Sequence, residues 1–266
     1  MKRLALLTLA AAFACSAALA GDNDWRLRIK KEADGWTASF SGPMDYGSGG
    51  KNRLRGSGVK VEKTRALAAF TKLRIEGPVD VKLSQAGSDQ ATVVADDNIE
   101  PLIETAVEGD TLVVRLKREA GFTTRSAPMV RVDARALQAI AINGSGDLAA
   151  ERFKGEALSL SVVGSGDVQL GLVELKDFNV SISGSGDVRV AGRAEQQSWK
   201  IHGSGDVDAR SLTGRSAHVE LHGSGDVALG VTEQLEAQLS GSGDLSYAGR
   251  PQLRQSVSGS GEIHRR

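Results

Sequence analysis

Aliphatic and polar residues alternate with a period of two through the second half of the chain, and the alternation restarts at a nearly fixed interval. One aliphatic column reads Ile142, Val162, Ile182, Ile201, Leu221, Leu239 and Val257. A second reads Leu148, Val168, Val188, Val207, Val227, Leu245 and Ile263. Two residues farther out the pattern continues at Ile140, Leu160, Val180, Trp199 and Val219, and at Leu170, Val190 and Leu229. Side chains that return to one face at every second residue mark strands, not helices. Asn143, Ser183, His202, His222, Ser240 and Ser258 fill the intervening positions and are expected to face outward; Val163 departs from the pattern.

Between the two columns lies the tetrapeptide Gly-Ser-Gly-Asp. It starts at Gly144, Gly164, Gly184, Gly203, Gly223 and Gly241, and a seventh copy from Gly259 ends in Glu262. Successive copies are 20, 20, 19, 20, 18 and 18 residues apart. That interval is too short for a four-stranded propeller blade and suits one coil of a solenoid. The predicted fold is all-β: a single-stranded right-handed parallel β-helix with an N-terminal β-rich cap. Right-handed winding is the default for parallel crossovers; the left-handed form usually shows hexapeptide periodicity, which these repeats lack, although the final 18-residue steps leave it open. No coil buries its apolar face alone, so the stack is stable only as a stack. Seven coils about 4.8 Å apart would make a rod about 30 Å long.

Stacking gathers like residues into rows. Ser145, Ser165, Ser185, Ser204, Ser224 and Ser242 form a hydroxyl row that Ser260 ends. Asp147, Asp167, Asp187, Asp206, Asp226 and Asp244 form a carboxylate row that Glu262 ends. Like charges about 5 Å apart repel by about 1 kcal/mol in water, and by more at lower dielectric. Corner amides donating to the carboxylates would offset this. A calcium ion with oxygen ligands is the alternative. The two rows are the candidate ligand-facing or cation-facing residues.

The N-terminus predicts export. Met1-Lys2-Arg3 is a basic start, Leu4 to Ala14 is apolar but too short to span a bilayer, and Ala18-Leu19-Ala20 precedes a cleavage point before Gly21. Cys15 is the single cysteine, so cleavage after Ala20 leaves no disulfide. A lipid anchor at Cys15 is the competing reading, although the residue three before it is not the usual Leu. No later stretch suits a transmembrane helix. The location expected is periplasmic, cell-surface or extracellular. Lys+Arg and Asp+Glu number 33 each; removing Lys2 and Arg3 leaves 31 against 33. A net charge of −2 gives no electrostatic case for nucleic acid.

The chain divides into a signal peptide (1–20), an N-terminal hairpin and Gly/Ser-rich linker (21–58), and a β-helix domain (59–266) whose cap is 59–138 and whose coils are 139–266. Trp25 to Ile29 and Trp36 to Phe40 alternate about a turn at Glu32 to Gly35. Residues 41–58 read as flexible linker. Ile75-Glu-Gly77-Pro-Val-Asp80-Val81 is a degenerate motif, read as a first coil or cap. Asp97-Asn98 is expected to cap a short turn near Pro101, and Ile103 to Leu116 to form a hairpin about Glu108-Gly-Asp110. The cap covers one end of the stack. The C-terminal coil is expected to expose its edge, through which a homo-oligomer could form.

Phe70-x-x-Leu-x-Ile75-x-Gly77, Val79-Asp-Val81, Asp96-Asp-Asn98, Thr111-Leu-Val-Val114 and the serial corner motifs together resemble the putative auto-transporter adhesin, head GIN domain family of bacterial exported proteins. The resemblance covers about residues 60–264 and implies a single-stranded right-handed β-helix. It implies no established activity. The sequence leaves no room beside the helix for a translocator barrel, so a complete autotransporter is not expected.

Catalysis needs a unique constellation with distinct pKa values, whereas an acid on every coil is a scaffold signature. The sequence therefore assigns no catalytic, cofactor-binding or metal residue, and no cofactor. The function expected is non-enzymatic binding, adhesion or structure at the cell envelope, with polysaccharide or another copy of the chain as ligand. A polysaccharide lyase or hydrolase is one alternative, since parallel β-helices host such enzymes and closely spaced carboxylates serve retaining hydrolysis. A cation-binding envelope protein is the other. His202 and His222 fall in one column, with His218 four residues before His222. They read as outward polar residues or as two imidazole ligands beside Asp206 and Asp226.

Overall fold

A computed structural model describes residues 26–32, 35–41, 43–47 and 53–266. The signal segment, Ala20, Gly21 and Cys15 lie outside the described residues.

The aliphatic columns become the core of a parallel β-solenoid of about six turns. The seven corner motifs, expected to make seven coils, enclose six intervals. Register is residue for residue. Ile75 pairs with Ile142, and the column runs on through Val162, Ile182, Ile201, Leu221 and Leu239 to Val257. After the corner, Val81, Leu148, Val168, Val188, Val207, Val227, Leu245 and Ile263 align in the same way. All but the C-terminal members of both columns are buried. A third inner column runs Leu158, Phe178, Gln197, Ala217, Leu235 and Leu253. Gln197 is the polar exception: its Oε1 accepts the Trp199 Nε1–H at 3.1 Å and its Nε2 donates to Gly230 O at 3.3 Å. A buried amide is tolerated when it is paired in this way.

The corner requires glycine for two reasons, seen at Gly184. Its φ is +137°, a region nearly closed to side chains. A Cβ there would also lie 2.1 Å from the carbonyl oxygen of Gly164 on the preceding coil.

The cap is threaded out of sequence order. Thr111–Leu116 pairs in parallel beneath Lys72–Gly77, and Met129–Ala134 beneath Asp80–Gln85. The degenerate motif at Gly77, read as the first coil or cap, is thus the second layer, held between strands that follow it in sequence. Gln90–Asp96 runs antiparallel to Met129–Ala134 and to Lys60–Ala66, closing this end. The hairpin about Gly109 forms as expected. The 3-10 turn Glu100–Leu102 has Ile99 at its N-cap with no side-chain bond. Asp97 and Asn98, expected to cap it, instead accept the hydroxyl and amide of Ser57.

That contact revises the expected linker. Met44–Gly47 and Leu54–Arg55 pair with Gly121–Thr124, and Gly56 N–H donates to Thr123 O at 2.8 Å. Part of residues 41–58 is therefore docked on the cap. Arg26–Glu32 and Gly35–Ser41 form the expected antiparallel hairpin. At the opposite end Gln252–Gly259 pairs with Val227–Gly241 on one side, and among the described residues no strand pairs with its other side. Val257 is 42% exposed there.

Candidate functional site

The Ser and Asp rows meet along one corner of the solenoid. Each Ser amide donates to the first motif glycine of the preceding coil, as Ser185 N–H does to Gly164 O at 2.9 Å. Each Asp carboxylate accepts the amide of the next acid. Asp147 accepts from Asp167, Asp167 from Asp187, Asp187 from Asp206, Asp206 from Asp226, Asp226 from Asp244, and Asp244 from Glu262, all at 2.8–3.0 Å. Asp80 opens this ladder by accepting from Asp147 at 3.1 Å. Adjacent negative charges are thus interleaved with backbone N–H dipoles. Burial pushes the Asp80 carboxyl above its ordinary range, and the Asp147 charge adds to this against the pull of the Asp147 amide.

One oxygen of each row carboxylate serves the ladder, and the side chains stand at the surface beside an open groove. The groove has a volume of about 390 Å3 and follows several coils. Asp187, Asp206, Asp226 and Asp244 line it, together with Arg189, Asp208, Arg210 and Ser246 from the strands that follow them. The Arg210 guanidinium bonds Asp208 through Nε at 2.7 Å and holds that carboxyl below its ordinary range. Arg189 approaches Asp187 at 3.7 Å. The groove therefore offers carboxylate acceptors at the coil repeat, with the Arg189 and Arg210 guanidinium groups beside them, the latter already engaged by Asp208. Among the described residues, no group of three or more His, Cys, Asp or Glu side chains is arranged to hold a metal ion.

A second groove, about 300 Å3, was not anticipated from the sequence. Asn179, Gln196, Ser198, Ser216, Gln234 and Glu236 contribute to its amide- and hydroxyl-rich lining. Its signal was present as a column: Asp177, Gln196, Ser216 and Gln234 pair in register. His202 and His222 are neighbours as their spacing predicted, meeting edge to face with ring centres 4.9 Å apart and planes at 88°. His218 is held separately, with Nε2 2.9 Å from Glu220 and Nδ1 3.4 Å from Glu236. Asp206 and Asp226, considered as ligands beside the histidines, each give an oxygen to the amide ladder.

No helix among the described residues is long and apolar enough to cross a membrane. No curated protein matches the chain. Solved structures share its fold. A putative adhesin from Bacteroides fragilis NCTC 9343 is 24% identical, with a TM-score of 0.72 over 80% of this chain and 100% of that one. A putative lipid binding protein from Parabacteroides distasonis ATCC 8503 is 23% identical, with a TM-score of 0.64 over 81% and 100%. A putative adhesin from Parabacteroides merdae ATCC 43184 is 21% identical, with a TM-score of 0.64 over 80% and 99%. A family model matches residues 69–251, which span the Gly77 coil, the cap strands that enclose it and the six Gly-Ser-Gly-Asp corners. The chain belongs to the family described as putative auto-transporter adhesin, head GIN domain.

Proposed function

We propose that this protein is an exported, non-enzymatic binding module of the cell envelope, and that its Ser/Asp corner engages an extended, hydroxyl-rich polymer such as a polysaccharide. The observation that carries this reading is the groove in which Asp187, Asp206, Asp226 and Asp244 recur coil by coil, with Arg189 and Arg210 also in its lining. A ligand that repeats along its length can satisfy such a row; a compact substrate cannot use it. Identical acids in identical settings support binding over catalysis, because acid-base chemistry needs two groups with separated pKa values. The family and the neighbours named as adhesins or binding proteins support the same class. Export rests on the N-terminal leader pattern, with the periplasm or cell surface as the destination.

The test is co-sedimentation of the protein with insoluble envelope and environmental polysaccharides, alongside the double variant Asp206→Ala/Asp226→Ala. Saturable retention that the double variant loses supports the reading. Absence of retention on every polymer, or retention unaffected by the substitutions, removes it.

The one-sided pairing of Gln252–Gly259 favours a second reading, self-association edge to edge through the C-terminal coil. A molar mass that stays monomeric across a concentration series refutes it. A Val257→Lys variant that dissociates a larger species supports it.

A further inference from the structure

His202 and His222 occupy equivalent positions on adjacent coils, where the same column carries Ser183 and Ser240. Both are exposed, immediately before the corner glycines. Among the described residues no hydrogen bond or ion pair holds either ring, whereas His218 on the same strand is engaged by Glu220 and Glu236. Glu220 is itself occupied by Lys200 at 3.0 Å. The two imidazoles thus meet edge to face, and no other side chain engages them.

Their geometry is informative. A tetrahedral metal binds imidazole nitrogen at about 2.0–2.1 Å, and two such ligands place their ring centres about 5 Å apart. The observed separation is 4.9 Å with nearly perpendicular planes. Parallel register sets the two residues side by side on adjacent coils without a metal, and rotation of these exposed side chains would turn one nitrogen of each toward a shared ion.

We propose that His202 and His222 form a two-ligand surface site for a divalent transition metal of the zinc, copper or nickel class. Imidazole suits these ions, whereas calcium and magnesium prefer oxygen. Among the described residues no third metal-ligating side chain completes the set. The remaining coordination positions therefore stay open to water or to a donor from outside the chain. The site lies on the sheet face ahead of the corner, apart from the Asp/Arg groove, and does not depend on the polysaccharide reading.

The experiment is calorimetric titration of the untagged full chain with Zn2+, paired with Cu2+ electron paramagnetic resonance to count bound nitrogens. The variants are His202→Ser and His222→Ser, because serine already fills this column in neighbouring coils, with His218→Ala as control. The expected result is a single site, with two equivalent nitrogens in the copper spectrum and with affinity at least about tenfold weaker in either serine variant. The control should bind as the parent does. Unaltered zinc affinity in His202→Ser/His222→Ser, no heat with millimolar Zn2+, or a copper spectrum with a single bound nitrogen overturns the assignment. Circular dichroism confirms that the variants are folded.

Discussion

Replacing Gly184 by Ala separates the two reasons for a corner glycine. The new Cβ would stand 2.1 Å from Gly164 O, 3.0 Å from its carbonyl carbon and 3.2 Å from its nitrogen. These are backbone atoms, so no side chain can swing aside, and the corner must open by more than about 1 Å to restore ordinary contact. Opening it strains Ser185 N–H to Gly164 O at 2.9 Å, Asp187 N–H to Asp167 Oδ1 at 2.9 Å, and Val168 N–H to Asp187 O at 2.8 Å. Losing bonds worth about 1 kcal/mol each, with about 1–3 kcal/mol for the positive φ, gives a destabilisation of about 4–6 kcal/mol. Gly77 is the internal control. It sits in the same column with φ +82°, but a Cβ there meets nothing within 4 Å. Gly77→Ala should cost only the backbone strain, about 1–2 kcal/mol. Urea unfolding followed by far-ultraviolet circular dichroism compares the two. Losses within about 1 kcal/mol of each other would show that close coil contact is not what excludes a side chain, and the argument would fail.

The acid ladder predicts different responses to two substitutions at Asp226. Asp226→Asn keeps an acceptor for Asp244 N–H and removes repulsion from Asp206 and Asp244, so the melting temperature should rise; Asp226→Ala also loses the acceptor and should melt below the Asn variant. Equal melting in millimolar calcium and in chelator is expected, since amides already offset the charge; a marked rise with calcium would point to a bound ion instead. Asp80→Asn should stabilise the protein near neutral pH. The folded-state pKa of Asp80 is raised, so its ionisation lowers stability as pH rises through the unfolded and then the folded value. The advantage of the Asp80→Asn variant should disappear well below pH of about 3.9, and an advantage constant across that range counts against the reasoning. Glu100 is the reverse case. Burial pushes its pKa up, but hydrogen bonds and charges from Lys63 and Arg65 outweigh this and leave it lowered. Its stabilisation is present above the unfolded pKa, about 4.3, and is lost as pH falls through the folded value. Glu100→Gln should therefore cost about 1–3 kcal/mol at pH 7, less than a fully buried pair because Lys63 is half-exposed. The gap should close in acid; a pH-independent deficit would mean that packing, not charge, holds this part of the cap.

What the sequence revealed divides along a physical line. The aliphatic columns, the corner glycines and even Gly77, with Pro78 and Val79 in place of Ser and Gly, were readable because a solenoid imposes the same environment on each coil. Repetition turns a weak local signal into a register, and the register then places Ser with Ser and Asp with Asp. Features that occur once were hidden. Thr111–Leu116 reads locally as half a hairpin, and nothing in it announces parallel pairing beneath Lys72–Gly77. Residues 41–58 have linker composition, yet Leu54 and Arg55 align with Phe122 and Thr123, because long-range pairing overrides weak local propensity. Gln197 occupies a core column since Trp199 and the carbonyl of Gly230 satisfy it, and no local pattern names a partner 33 residues away. The carboxylate ladder lies between these cases. The acceptor was evident in every motif, while its donor, the amide of the next coil's acid, follows only once the coils are stacked. The same division bears on function. The Asp row is repeated and so reports the scaffold first and a ligand second. The edge-to-face pair His202 and His222 is brought together by the same register, but Ser183 and Ser240 fill this column on the flanking coils, so the scaffold does not itself require imidazoles there.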